Sequence, residues 1–194
     1  MFQINRSKPK GFSERTPLVS ICTITFNRHE FLNVLKYHII NQDYPIANIE
    51  WIIIDDSDFP IEKKILDDHN LKIKYIYFNE KKSIGFKRNI ANRKSSGEII
   101  VYMDDDDYYP STRVSHAVGE LSNSKKLIAG CTQLPIFYLL EKELWISGPF
   151  NKNHGTASTF AFKKKLLSKT SFLDESQSSE ESYFTKGFTK IAIK

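Results

Sequence analysis

An α/β fold, with a mixed and mostly parallel sheet flanked by helices, is what this sequence predicts, and three observations carry it. Apolar, β-branched runs recur at Leu18 to Phe26, Ile49 to Ile54, Ile73 to Phe78 and Glu98 to Met103. Segments with helical spacing separate these runs, which implies parallel pairing through crossover helices. Three of the runs lead into polar clusters: Asn27-Arg28, Asp55-Asp56-Ser57-Asp58 and Asp104-Asp105-Asp106-Asp107. In open α/β sheets that carboxyl edge is where ligands bind.

Each element follows from its local pattern. Leu18 to Phe26 reads as a buried strand because polar residues do not alternate through it. Asn27, with Glu30 three residues later, matches a capping box. Phe31, Leu32, Leu35, His38 and Ile39 keep helical spacing, and the helix should stop before Asp43-Tyr44-Pro45. A second strand covers Ile49 to Ile54, a helix Ile61 to His69, and a third strand Ile73 to Phe78. Ser83 to Ser96 is expected to be a loop and helix starting at Ile84-Gly85, ahead of the fourth strand, Glu98 to Met103. The second half is less regular, with a helix near Thr112 to Ser122 and strands at Leu127 to Leu134, Ile136 to Leu140 and Ala157 to Phe162. No internal repeat is present. Residues 1–16 read as a flexible lead-in and 17–194 as a single domain.

Composition narrows the function classes. The 194 residues suffice for one domain with a continuous core. The net charge of +5 is spread over short clusters such as Lys81-Lys82, Lys87-Arg88 and Lys163-Lys164-Lys165 rather than one stripe. This argues against a nucleic-acid partner and for anionic small molecules, or a membrane surface at most. Cys22 and Cys131 lie too far apart for a disulfide framework or a metal-ligand spacing, which points to a reduced, cytoplasmic chain. No apolar run approaches the ~20 residues needed to span a bilayer, and Met1 to Thr16 lacks the apolar core of a signal peptide. Membrane contact is therefore expected to be peripheral.

The four consecutive aspartates are the strongest single feature. Like charges ~4 Å apart repel by roughly 4 kcal/mol at an effective dielectric of 20. A bound cation removes that penalty, and all-oxygen ligands favour Mg²⁺ or Mn²⁺, commonly shared with substrate phosphates. A solvated acidic turn is the plainer explanation, but the run follows directly on a buried strand.

Taken in order, the blocks resemble GT-A glycosyltransferases of the family-2-like group. The resemblance runs over roughly residues 17–187. Pro17 to Arg28 (PLVSICTITFNR) resembles the family's opening strand and its aromatic-Asn-Arg turn. Gln42 to Pro45 and Glu50 to Asp58 (EWIIIDDSD) resemble the next block, and Gly85 to Asn89, Gly97-Glu98 and Tyr102 to Tyr108 the block that ends in the DxD carboxylates. The resemblance implies a GT-A (nucleotide-diphospho-sugar transferase, Rossmann-like) fold and Mn²⁺ or Mg²⁺ as cofactor. It also implies an inverting transfer from a nucleoside-diphosphate sugar, most commonly a UDP-sugar, to a hydroxyl acceptor on a glycan, lipid or protein.

Residue roles carry over by position. Thr23, Phe26 and Asn27 line the nucleotide pocket, and Asp55 or Asp56 accepts a hydrogen bond from the base. Arg88 lies near the base or the diphosphate, while Arg28, Gly85 and Asp105 belong to the same donor-binding blocks. Asp104 meets the ribose side, and Asp106, with help from Asp104, ligates the metal. Ser179 to Phe184 (SEESYF) resembles the family's Gly-Glu-Asp-x-Asp-Phe segment, which makes Glu181 the base and Glu180 its alternative. His154, in Asn153-His154-Gly155-Thr156, is a candidate metal or donor contact, although a polar loop histidine without a role is more common. Trp145 and Tyr138 suit either sugar stacking or the core. Residues 17–110 form the nucleotide-sugar-binding half and 111–194 an acceptor half that is short for the family.

Three other readings share some of these features. Tyr102-Met103-Asp104-Asp105 looks like the metal-binding turn of a polymerase palm, but that turn sits on an antiparallel hairpin, whereas strands alternate with helices here. A nucleotide-sugar or glycan-binding module without turnover is the second, and the Asp104/Asp106 pair with Glu181 speaks against it. Sugar nucleotidyltransferases share the architecture, but their Gly-rich, Arg-containing loop is missing after the first strand.

Overall fold

The computed structural model describes residues 16–149, 155–185 and 190–192. Three long apolar runs become three neighbouring parallel strands: β1 (Val19–Thr25), β2 (Ile49–Asp55) and β3 (Lys72–Tyr77). β4 (Ile99–Tyr102) pairs in parallel with the opposite side of β1. β8 (Ala161–Lys163) then runs antiparallel between β4 and β5 (Ile128–Gly130), and β9 (Lys190–Ala192) closes the far edge parallel to β5. The seven-stranded order is β3-β2-β1-β4-β8-β5-β9. The expected mixed, mostly parallel sheet is present.

Both faces of this sheet are covered. Every residue of β2 is buried, and its side chains alternate between two cores. Trp51 and Ile53 pack with Leu32, Leu35 and Ile39 of α1 (His29–Ile40) and with Val114, Ala117 and Leu121 of α4 (Arg113–Ser122). Ile52 and Ile54 face Ala91 of α3 (Ile84–Lys94) and an aromatic group of Tyr102, Phe160, Phe162, Phe172 and Phe184. Chain order reverses direction at β1, because β2 and β3 lie on one side of it and β4 on the other. The carboxyl ends of β1 and β4 therefore flank the switch point at which open sheets bind ligands.

Several expectations change in detail, each for a local reason. Asn27 does not cap α1, where Arg28 holds the cap position without a side-chain bond. Asn27 instead adopts φ 55°, which asparagine tolerates, and spends its amide on the next loop. Its Nδ2 donates to Asp58 Oδ2 at 3.0 Å, and its Oδ1 accepts from Asp58 N at 3.0 Å. The helix expected over Ile61 to His69 shrinks to α2 (Lys63–Leu66), because Asp68 turns its carboxylate onto the backbone N–H groups of Asn70 and Leu71. The strand expected from Leu127 to Leu134 ends at Gly130, as Cys131 N donates to Thr159 Oγ1 rather than to a ladder. Ala157–Thr159 is a 3-10 turn ahead of β8. Beyond β5, β6 (Leu134–Tyr138) and β7 (Glu143–Ser147) form a separate two-stranded ribbon. The sequence reading missed β7.

Polar side chains staple the elements. Gln42 accepts from Val114 N at 2.9 Å and donates to Pro110 O at 3.0 Å, which ties the end of α1 to the start of α4. At the opposite rim, buried Glu50 receives Ser20 Oγ at 2.6 Å and Lys74 Nζ at 2.8 Å, with Ser96 N as a further donor. Burial pushes the Glu50 pKa up, but these donors outweigh burial and leave it below the ordinary carboxylate value. A depressed carboxylate stabilises the fold above its unfolded pKa of 4.5, and that contribution is lost as pH falls through the folded value. Glu50→Gln should therefore destabilise the protein by about 1–3 kcal/mol at pH 7. The difference from wild type should shrink in urea melts as pH is lowered below 4.5.

Candidate active site

Three loops and two helix starts converge at the switch point. β4 delivers Asp104 to Asp107 straight from the buried sequence Ile99–Met103. Tyr109 folds back so that its hydroxyl accepts from Asp104 N at 2.7 Å, which fixes the turn. Asp104 and Asp106 keep 23% and 46% of their side-chain surface, whereas the Asp105 side chain is wholly buried. Burial pushes the Asp105 carboxyl up to about 6, against the opposing influence of Thr25 and Arg28. Burial also raises Asp107, with the charge of Asp104 adding to it.

Two arginines balance this acidic turn. Arg88, on α3, is 4% exposed and lies 4.7 Å over the Tyr102 ring. Its Nε donates to Glu180 Oε1 at 2.9 Å, and its Nη atoms reach Asp104 at 3.3 Å. Burial alone would lower the Arg88 pKa, but the neighbouring Asp104 and Glu180 push it up, so the guanidinium stays charged. Arg28, after β1, pairs with Asp105 Oδ1 at 2.9 Å and with Asp106 Oδ2. The residues expected at the donor diphosphate and metal thus fall into two adjacent ion-pair clusters, Arg28 with Asp105 and Asp106, and Arg88 with Asp104, the second of which also takes in the candidate base Glu180.

α5 (Glu180–Phe184) carries the two candidate bases, and it divides them. Glu180 is buried in the Arg88 pair. Glu181 is half-buried, and among the described residues its carboxylate forms no hydrogen bond or ion pair. The helix is anchored by Phe184, whose ring stacks on Phe172 at 4.2 Å.

Other predicted residues stand behind these clusters. Asp55 is fully buried, with Ser57 N and Oγ on one oxygen and His29 Nε2 (3.0 Å) and Tyr75 Oη (2.7 Å) on the other. Asp56 accepts from Lys87 Nζ and Lys82 N, each at 2.6 Å. Thr23 is 0% exposed, and its hydroxyl sits between Trp51 Nε1 and Met103 O, inside the sheet. Phe26 is half-buried under Lys81 Nζ at 4.3 Å. Gly85 has a packing role: a Cβ there would lie 1.9 Å from Leu173 O. Its N–H donates to Ser176 O at 3.0 Å, so the 172–176 segment crosses directly over the first turn of α3. His154 and residues 1–15 of the lead-in lie outside the described residues. Tyr138 and Trp145 are exposed on the ribbon with their rings 6.2 Å apart, and neither is core.

Sequence reasoning missed Lys87 and His29. Lys87 is 5% exposed and bridges Asp56 to Thr25 O, which locks the β1 and β2 ends to α3. The adjacent cations of the GFKRN block, inside a helix, were the available signal. The donor set also fits a divalent ion. Among the described residues no three His, Cys, Asp or Glu side chains are grouped to hold a metal. One or two carboxylates, completed by ligand phosphates, are however the usual protein share for Mg²⁺-like ions. Asp104 and Asp106 are the exposed pair, and Asp105 between them is wholly buried against Arg28.

Comparison with known proteins gives the family. The model of "Glycosyl transferase family 2" matches residues 20–171. The chain belongs to glycosyl transferase family 2. One relative of this family-2 chain, the UDP-Glc:alpha-D-GlcNAc-diphosphoundecaprenol beta-1,3-glucosyltransferase WfaP of Escherichia coli, is 30% identical over 138 residues. That match covers 69% of this chain and 51% of the relative. Among solved structures, the mannosyltransferase PcManGT from Pyrobaculum calidifontis, in complex with GDP-Man and Mn²⁺, superposes with a TM-score of 0.71 at 19% identity. The overlap covers 92% of this chain and 55% of that one. Residues 1–349 of TarS from S. aureus, in complex with UDP, give a TM-score of 0.69 at 18% identity, over 91% and 58%. The fold is GT-A, and this family-2 chain spans about half the length of the E. coli relative and of both structures.

Replacing Arg88 by Met should cost about 3–5 kcal/mol, because it strands Glu180 as a buried charge. The double variant Arg88→Met/Glu180→Gln should recover a large part of that loss in denaturant melts, as coupled partners do.

Proposed function

We propose that this domain transfers a glycosyl group from a nucleoside-diphosphate sugar to a hydroxyl acceptor in glycan or glycoconjugate synthesis, with inversion at the anomeric carbon. The observation that carries the reading is the juxtaposition, at the β1/β4 switch point, of exposed Asp104 and Asp106 with Arg28 and Arg88. Family membership supports the reaction class. UDP is the favoured donor nucleotide, since TarS structures hold UDP and UDP-GlcNAc and the E. coli relative is described as using UDP-Glc. A lipid-linked saccharide is the favoured acceptor, from the diphosphoundecaprenol in that same description. No helix among the described residues is long and apolar enough to cross a membrane, so contact with such an acceptor would be peripheral.

Asp106 and Asp104 would hold Mn²⁺ or Mg²⁺, which when bound neutralises charge developing on the leaving diphosphate. His154 is carried forward as a further ligand candidate. Arg88 fixes Asp104 from behind, so this carboxylate is oriented before the donor arrives. Phe26 offers a ring face, and Asn27 the exposed loop edge, to the nucleotide. Residues 17–110 thus form the donor half and 111–194 the acceptor half.

Glu181 takes the proton of the acceptor hydroxyl as that oxygen bonds to the anomeric carbon. On the opposite face the bond to the diphosphate oxygen breaks, and its electron pair leaves with the nucleotide. The carboxylate of Glu181, unpaired among the described residues, suits a base, whereas Glu180 is committed to Arg88 and positions the helix.

A screen of UDP-, GDP- and dTDP-sugars with Mn²⁺, Mg²⁺ or EDTA tests the reading, with metal-dependent donor hydrolysis as the expected result. Asp106→Asn should abolish the metal stimulation, and retention of full stimulation would overturn the metal assignment. Glu181→Gln should lower kcat by about 10²–10⁴-fold and leave UDP affinity within about twofold. An unchanged kcat would shift the base to another group.

A further inference from the structure

We infer that Arg28 is an internal counter-cation of the acidic turn: it occupies Asp106 when no metal is bound, and a divalent ion must displace it. The inference rests on the metal assignment to Asp106 proposed above.

The geometry is asymmetric. One side of the guanidinium pairs with Asp105, whose side chain is 0% exposed, and the other with Asp106, whose side chain is 46% exposed. Arg28 itself is 42% exposed and therefore free to move at one end. A pair with a buried carboxylate is hard to break without leaving an uncompensated charge, while a half-exposed pair is weak. Asp105 is the anchor: its side chain is wholly buried, and Arg28 is its cationic partner among the described residues. Asp106 is the releasable contact.

The remainder of the loop supports this division. Arg28 holds the N-cap position of α1 but makes no side-chain cap bond, so the helix does not fix its side chain. The adjacent Asn27 is pinned to Ser57 and Asp58, which holds the backbone of the loop in place while the guanidinium swings. A divalent ion and Arg28 compete for the same Asp106 oxygen. When the ion wins, Arg28 pivots about Asp105 and its freed N–H groups turn toward the donor diphosphate.

Nucleotide-free protein, titrated with Mn²⁺ and followed by the electron paramagnetic resonance signal of free Mn²⁺, tests this. Arg28→Gln should bind Mn²⁺ at least about threefold more tightly than wild type, since both the competitor and its charge are gone. Lys81→Gln, which removes a neighbouring cation that no acidic side chain of the turn contacts, should change the affinity by less than half as much. Circular dichroism melts establish that the variants are folded. Unchanged or weaker Mn²⁺ binding by Arg28→Gln, an equal gain from Lys81→Gln, or no binding by wild type and Arg28→Gln alike would each overturn the inference. Asp106→Asn separates the two levels. If it binds Mn²⁺ as tightly as wild type, the metal assignment itself is wrong. If it loses Mn²⁺ while Arg28→Gln gains nothing, the role of Arg28 alone is wrong.

Discussion

Arg88 is the residue around which the rest of this structure has to be arranged. A guanidinium that is 4% exposed needs anionic partners on more than one side, and here they come from different parts of the chain. Asp104 arrives from β4 and Glu180 from α5, while the Tyr102 ring supplies the floor. Each partner is held in turn: Tyr102 by Asn92 at 2.9 Å and Asp104 by the Tyr109 hydroxyl. Bringing Glu180 to α3 requires the 172–176 segment to pass within backbone contact of the helix. Gly85 leaves the space for that passage, and Asn89 secures it by bonding the backbone of Phe172 in both directions. The aromatic stack of Phe172 and Phe184 seals the apolar side. One buried charge thereby couples α3, the turn after β4 and α5, which are far apart in the chain.

The opposite side of the switch point is organised by a second buried pair. Lys87 and Asp56 bind the β2 loop to α3, and Asn27 with Asp58 binds the β1 loop to the β2 loop. These contacts leave Arg28 as the mobile cation of a rigid rim. Preorganisation of this kind matters to a site that must stabilise charge, because the dipoles and ions are already oriented before the ligand arrives.

The first half of the chain was legible because its strands are long and apolar and end in polar clusters. β1 and β2 follow the expected runs to within one residue, and the acidic turn stands at the carboxyl end of β4, the predicted rim. The later half was harder for physical reasons. β5 and β8 are three residues each, too short for any periodicity, and their pairing is set by contacts far along the chain. β7 has only the short apolar run Leu144-Trp145-Ile146, behind Glu143 and a left-handed Lys142, and three residues are too few to set a strand period. Within the site, the Asp run was readable one residue at a time, but its partners were not. Arg88 and Glu180 are 92 residues apart, and no local pattern shows which of two adjacent glutamates turns inward. Thr23 and Gly85 show the converse limit: both lie in motif blocks, yet one fills the sheet interior and the other clears a crossing chain.

The ribbon of β6 and β7 has a physical consequence of another kind. Ile136 and Trp145 face one way and Phe137 and Leu144 the other, and all four are exposed. Among the described residues no strand pairs with either outer edge of this ribbon, and Pro135 lacks the N–H that a further strand would use. Charged residues are confined to Glu141, Lys142 and Glu143 at one end, where they act as gatekeepers for an otherwise sticky strip. The strip therefore favours self-association at high concentration, and polar substitutions on it should raise solubility without touching the acidic turn's own residues.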